Sequence, residues 1–225
     1  MAEITFLEVE TGPAPTHAVI WLHGLGADAT DFEPIVPELG LPESPAVRFI
    51  FPNAPQRPVT CNGGYVMRAW YDIVSLAPES RQIDEAGLLE SRDIVRQFIA
   101  REVERGIAAE RIFLAGFSQG GAVAYLAGLT HPEPLGGIVA LSTYIPAPER
   151  LKQDFSAANR DTPVFAAHGR GDEVVSLALG ERALAVLHEL GVKPQWRLYD
   201  MGHSVCMEEI ADLGVWFGER LQPAD

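Results

Sequence analysis

Basic residues are scarce in this chain. Seventeen Lys and Arg stand against 31 Asp and Glu, a net charge of −14 over 225 residues. A surface that acidic repels nucleic acid and anionic membranes, so neither is expected as a partner. Cysteine is scarcer still, with only Cys61 and Cys206. Two isolated thiols give no disulfide framework and suit a reducing cytoplasm. Neither sits in a recognisable turn motif, so an incidental thiol is a better reading of each than a nucleophile. No apolar run approaches the length of a membrane span, which argues against integral membrane association. The start, Met1-Ala2-Glu3-Ile4, has no basic region and no apolar signal core. There is no internal repeat and no linker rich in Gly or Ser.

What is present is a globular composition, 47% apolar and 21% charged. That suffices for one substantial core, and a single domain over residues 1–225 is expected. Short apolar runs alternate with amphipathic stretches. Strands are predicted at Ala18–Leu22, Val47–Phe51, Arg111–Phe117, Gly137–Leu141, Pro163–Ala167 and Gln195–Tyr199. Helices are predicted at Ile83–Val103, Gln119–Leu129, Leu177–Leu190 and Val205–Arg220. This alternation predicts an α/β fold, a mostly parallel central sheet with helices on both faces. Thr5–Glu10 reads as an antiparallel edge strand. The longest irregular stretch, Pro52–Pro78, carries exposed-looking apolar residues and is placed over the site, because long ordered loops are often functional.

Near the middle lies "FLAGFSQGGAVA", Phe113–Ala124. A strand-like run turns at once into a helix through Gly116-Phe117-Ser118-Gln119-Gly120, a G-x-S-x-G pattern. Such a turn has no room for side chains at its ends, which accounts for both glycines and exposes Ser118 at the apex. A serine hydroxyl needs a base, a carboxylate to orient that base, and donors for the oxyanion. In this class of turn the order along the chain is Ser, acid, His. Asp172 follows the strand ending at Ala167, and His203 follows the last strand. Glu173 is the rival carboxylate, and Asp172 also suits a helix cap. His17, His131 and His188 read as surface residues. The oxyanion donors are expected to be the backbone N–H of Gln119, at a helix N-terminus, and of Leu25, in His23-Gly24-Leu25-Gly26. His23, His168, His203 and Asp172 lack metal-ligand spacing, so no metal is expected. His23 and His168 are expected to hydrogen-bond the loops around the site.

The stretches "WLHGLGADATDF", "FPNAPQRPVTCNGGYVMRAWYDI", "LAGFSQGGAVA", "HGRGDEVV" and "MGHSV" run through nearly the whole chain. Together they resemble the small bacterial carboxylesterases related to the acyl-protein thioesterases and lysophospholipases. The resemblance implies an α/β-hydrolase fold without a large cap domain. It implies Ser118 as nucleophile, Asp172 as orienting acid, His203 as base, and Leu25 and Gln119 as oxyanion donors. It implies no cofactor and a small ester or acyl substrate, with a homodimer left open. It further implies that Met67, Trp70, Tyr71, Ile73 and Leu76 line an acyl groove, although Trp70 and Tyr71 read equally well as core. The segment "CNGGYVMRAWYDI" looks more like the bacterial esterase version than the animal thioesterases.

Overall fold

The computed structural model describes residues 4–76 and 81–221. In chain order the elements begin with β1 (Phe6–Glu10), β2 (His17–Leu22) and β3 (Val47–Pro52). Two short hairpins follow, β4 (Gln56–Val59) with β5 (Tyr65–Arg68), and β6 (Ile73–Ser75) with β7 (Gln82–Ile83). Next come α1 (Glu85–Glu104), β8 (Ile112–Phe117), α2 (Gln119–Leu129), β9 (Gly137–Leu141) and the short α3 (Pro148–Asp154). The chain closes with β10 (Val164–Gly169), α4 (Leu177–Glu189), β11 (Gln195–Tyr199) and α5 (Met207–Gly218).

Seven strands form one sheet in the order β1-β3-β2-β8-β9-β10-β11. Only β1 is antiparallel, at the edge. The side-chain period of two splits each buried strand between two cores. Ala18, Ile20 and Leu22 of β2 face Leu88, Val95 and Ile99 of α1 together with Val123 and Leu187. Val19 and Trp21 face the other way, toward Phe32, Phe49, Phe113 and Trp216. Helices α1, α2 and α4 therefore cover one face, and α5 covers the other. Helix α2 is buried along its whole length. Its Ala, Gly, Val and Leu content suits a helix with no solvent face. Buried Glu102 of α1 accepts from Arg48 of β3 at 2.8 Å and from Arg105 at 3.0 Å, tying the helix to the edge of the sheet.

Three features differ from expectation. The segment from Pro52 is folded into hairpins up to Leu76, and its end, Ala77 and Pro78, lies outside the described residues. His17 and His131 are buried rather than on the surface. His17 opens a central strand, and His131 follows α2 and accepts from the Glu133 N–H at 3.3 Å. Among the described residues no helix is long and apolar enough to cross a membrane.

Candidate active site

Ser118 sits between β8 and α2 with φ 53° and ψ −118°. A non-glycine residue there is strained by about 1–3 kcal/mol. Several bonds hold it. Its N–H donates to the Leu141 carbonyl at 2.9 Å. Its own carbonyl accepts from the Thr143 hydroxyl at 2.6 Å and from the Ala122 N–H at 3.2 Å. The flanking glycines are required by space. A Cβ on Gly116 would lie 2.4 Å from the Gly120 carbonyl carbon, and one on Gly120 would lie 2.3 Å from the Leu22 oxygen.

His203 reaches Ser118 from the loop after β11. Its Nε2 lies 3.0 Å from Ser118 Oγ, and its Nδ1 lies 2.7 Å from Asp172 Oδ2. An ionised carboxylate only accepts, so Nδ1 carries the proton and Nε2 is left to accept from the serine hydroxyl. The ring of Phe117 packs against the imidazole with centroids 4.7 Å apart, steadying it from one side.

Asp172 bridges His203 and the turn that follows it, and it does not cap α4, whose N-cap is Ser176. Oδ2 faces His203, while Oδ1 accepts from the N–H groups of Val174 and Val175 at 2.9 and 2.8 Å. Burial opposes its ionisation. The hydrogen bond from His203 and the two amides outweigh that, and its pKa lies below the ordinary carboxylate value. Glu173 is exposed.

The His23–Gly26 loop lies directly against the serine. A Cβ on Gly24 would touch Phe117 at 3.2 Å and the Ser118 Cβ at 3.6 Å. Leu25 occupies the tight turn closed by Ala27 N–H to Gly24 oxygen at 3.3 Å. Gln119 is the first residue of α2, where amides have no intrahelical acceptor and the helix dipole favours negative charge. His23 anchors the loop. Its Nε2 accepts from the Ala54 N–H at 3.0 Å, so its Nδ1–H donates to the Gly24 oxygen at 2.7 Å. Burial keeps its pKa below the ordinary histidine value. His168 donates from Nε2 to the Val175 carbonyl at 2.7 Å, beneath the Asp172 turn.

The residues expected to line a groove divide into two groups. Trp70, Tyr71 and Ile73 belong to the hydrophobic core and have little or no free surface. Trp70 donates its indole N–H to the His23 oxygen at 2.9 Å, and Tyr71 meets the Tyr144 hydroxyl at 3.1 Å. Their large apolar surfaces are better satisfied inside, so they back the site instead of lining it. Met67 is half-buried beside Gly26, and Leu76 is 46% exposed. Sequence reasoning missed one part. The buried Gln119 side chain accepts from the Trp70 N–H at 2.7 Å and donates to the Tyr71 carbonyl at 2.8 Å, clasping the hairpin segment to the serine turn.

The sheet order, the strained serine turn and the order Ser–Asp–His along the chain define a serine hydrolase of the α/β-hydrolase fold. Residues 5–216 match the family described as phospholipase/carboxylesterase, and the chain belongs to that family. It is 39% identical to "Acyl-protein thioesterase 1" of Mycosarcoma maydis over 228 residues, covering 95% of each chain. The crystal structure of Arabidopsis thaliana SOBER1, whose sequence is named a carboxylesterase, superposes with a TM-score of 0.86 at 35% identity. That match covers 92% of this chain and 99% of the other. The crystal structure of Zea mays acyl-protein thioesterase 2 gives 0.83 at 27% identity, covering 97% and 99%. These relatives are fungal and plant proteins, and they lend no support to a specifically bacterial affinity.

Proposed function

We propose that the protein hydrolyses short- to medium-chain carboxylic esters through Ser118, His203 and Asp172. The observation that carries this reading is the imidazole bridging Ser118 Oγ at 3.0 Å and Asp172 Oδ2 at 2.7 Å. His203 takes the serine proton as Oγ attacks the ester carbonyl. The oxyanion of the tetrahedral intermediate is held by the N–H groups of Leu25 and Gln119, beside the positive end of α2. His203 then protonates the departing alcohol, leaving an acyl-serine. Water, deprotonated by the same imidazole, repeats the sequence and releases the acid. Every proton transfer uses the chain's own groups.

Met67 and Leu76, with Leu25, form one wall of the acyl groove in this reading. Support comes from the place of Met67 beside Gly26, one residue from Leu25, and from the apolar surface left open at Leu76. Each methylene buried there adds about 0.8 kcal/mol, or about fourfold in kcat/KM, until the groove is full. The test is kcat/KM for a series of p-nitrophenyl esters of rising acyl length. The wild type should climb and then level off, while Met67→Ala and Leu76→Ala should climb less steeply. Profiles parallel to the wild type would remove these residues from the acyl wall.

The names of the relatives favour a second reading with the same chemistry, a thioester substrate, in which a thiolate leaves in place of an alkoxide. Single-domain organisation is supported by the one seven-stranded sheet that receives strands from both ends of the chain. A reducing compartment is supported by both cysteines being free.

A further inference from the structure

A concavity opens between the segment after β9 and helix α4. Its volume is about 210 Å³, below the roughly 300–1,000 Å³ of whole-ligand pockets, so it suits one end of a ligand. Ile145, Leu179 and Val186 supply apolar walls, and among the described residues Arg81 and Arg182 supply the only charges lining it. Among the described residues neither arginine has a carboxylate partner, in contrast to Arg48, Arg92, Arg101 and Arg105. Arg81 lies over the Tyr144 ring, 4.9 Å from its centroid, and donates to the Val174 carbonyl. Its Nε–H is buried without an acceptor among the described residues.

Two of its lining residues connect it to the serine and aspartate turns. Tyr144 follows Thr143, whose hydroxyl donates to the Ser118 carbonyl. Val174, which receives Arg81, donates its own N–H to Asp172. We propose that this concavity is an anion subsite, and that the preferred substrates carry a carboxylate or phosphate group beyond the scissile ester. The proposal rests on the esterase reading and narrows its substrate class. Guanidinium groups pair with both anions by bidentate hydrogen bonds. A chain of net charge −14 otherwise repels such substrates, so two arginines with no carboxylate partner among the described residues, held in one concavity, attract them there. The apolar walls accommodate the carbon chain between ester and anion.

The test compares p-nitrophenyl hemiglutarate with its neutral counterpart, p-nitrophenyl valerate. The kcat/KM ratio, anionic over neutral, should fall about tenfold in Arg182→Gln and in Arg81→Gln and should shrink with added salt. Arg197→Gln, which removes an equal charge at the exposed position of β11, should leave the ratio at its wild-type value. A parallel pair, lysophosphatidic acid against lysophosphatidylcholine, tells whether the anion rides on the leaving group. Arginine-dependent selectivity in either pair supports the proposal, and ratios unmoved by both arginine substitutions overturn it. Calorimetric binding of monomethyl glutarate to Ser118→Ala protein, lost on adding Arg182→Gln, reads the subsite without turnover. Failure of wild-type protein to hydrolyse either p-nitrophenyl ester would strike the esterase reading, while this binding arm still decides the subsite.

Discussion

The Gln119 side chain offers a sharp test of how the serine turn is held. Its amide sits in the core and makes two bonds across about 50 residues of chain, accepting from the Trp70 N–H and donating to the Tyr71 carbonyl. Gln119→Ala leaves both backbone groups buried and unpaired. Each orphan costs about 1–3 kcal/mol, so the variant should lose about 2–6 kcal/mol, a large share of the roughly 5–15 kcal/mol that stabilises a typical domain. For a chain of this size that is a fall of about 5–20 °C in Tm. The Gln119 backbone N–H survives the substitution, so the proposed oxyanion donor is retained in the folded fraction. Gln119→Glu keeps an acceptor for the Trp70 N–H but sets a buried carboxylate against the Tyr71 carbonyl, so at neutral pH its midpoint should also fall well below the wild type. Urea unfolding followed by tryptophan fluorescence measures this, because Trp70 is buried beside the bond. A loss below about 1 kcal/mol in Gln119→Ala would refute the clasp.

The remaining expectations concern charge. Asp172→Asn should keep the fold and lose about 10³-fold or more in kcat through the wrong imidazole tautomer, whereas Glu173→Gln should stay near wild type, as its exposure implies. The reverse pattern in steady-state kinetics would move the acid to Glu173. Glu209 is fully buried on α5, its carboxyl has among the described residues only a weak backbone interaction with Cys206, and burial pushes its pKa up to about 8. An acid with a raised folded pKa is penalised as pH rises from its unfolded value, about 4.3, through 8. Glu209→Gln should therefore gain on the wild type across that window by several kcal/mol and level off above it. A stability difference that stays flat in urea melts from pH 5 to 9 would contradict the buried, proton-bearing carboxyl.

Much of the fold is legible in the sequence because its central strands are continuous apolar runs, as buried parallel strands must be. Ala18–Leu22 and Gly137–Leu141 announce themselves this way. The serine turn is legible for a different reason, since steric demand leaves only glycine at positions 116 and 120. The hairpins β4–β5 and β6–β7 are not legible, because short strands with mixed exposure and an internal Pro58 give no period to read. Helix α3 buries only Leu151, so its apolar stripe is too thin to notice. The roles of Trp70 and Tyr71 are ambiguous from composition alone, because an aromatic side chain suits a groove and a core equally. The Gln119 clasp and the Arg81–Arg182 concavity depend on residues distant in the chain that only the folded sheet brings together.

The central claim is that Ser118 is the nucleophile, and covalent labelling tests it most directly. Reaction with a fluorophosphonate, followed by peptide mass spectrometry, should place a single adduct on Ser118 in step with loss of ester turnover. Ser118→Ala should take no label and should lose about three orders of magnitude or more in turnover. An adduct on Cys61 or Cys206 that tracks inactivation, or turnover persisting in Ser118→Ala, would contradict the serine mechanism.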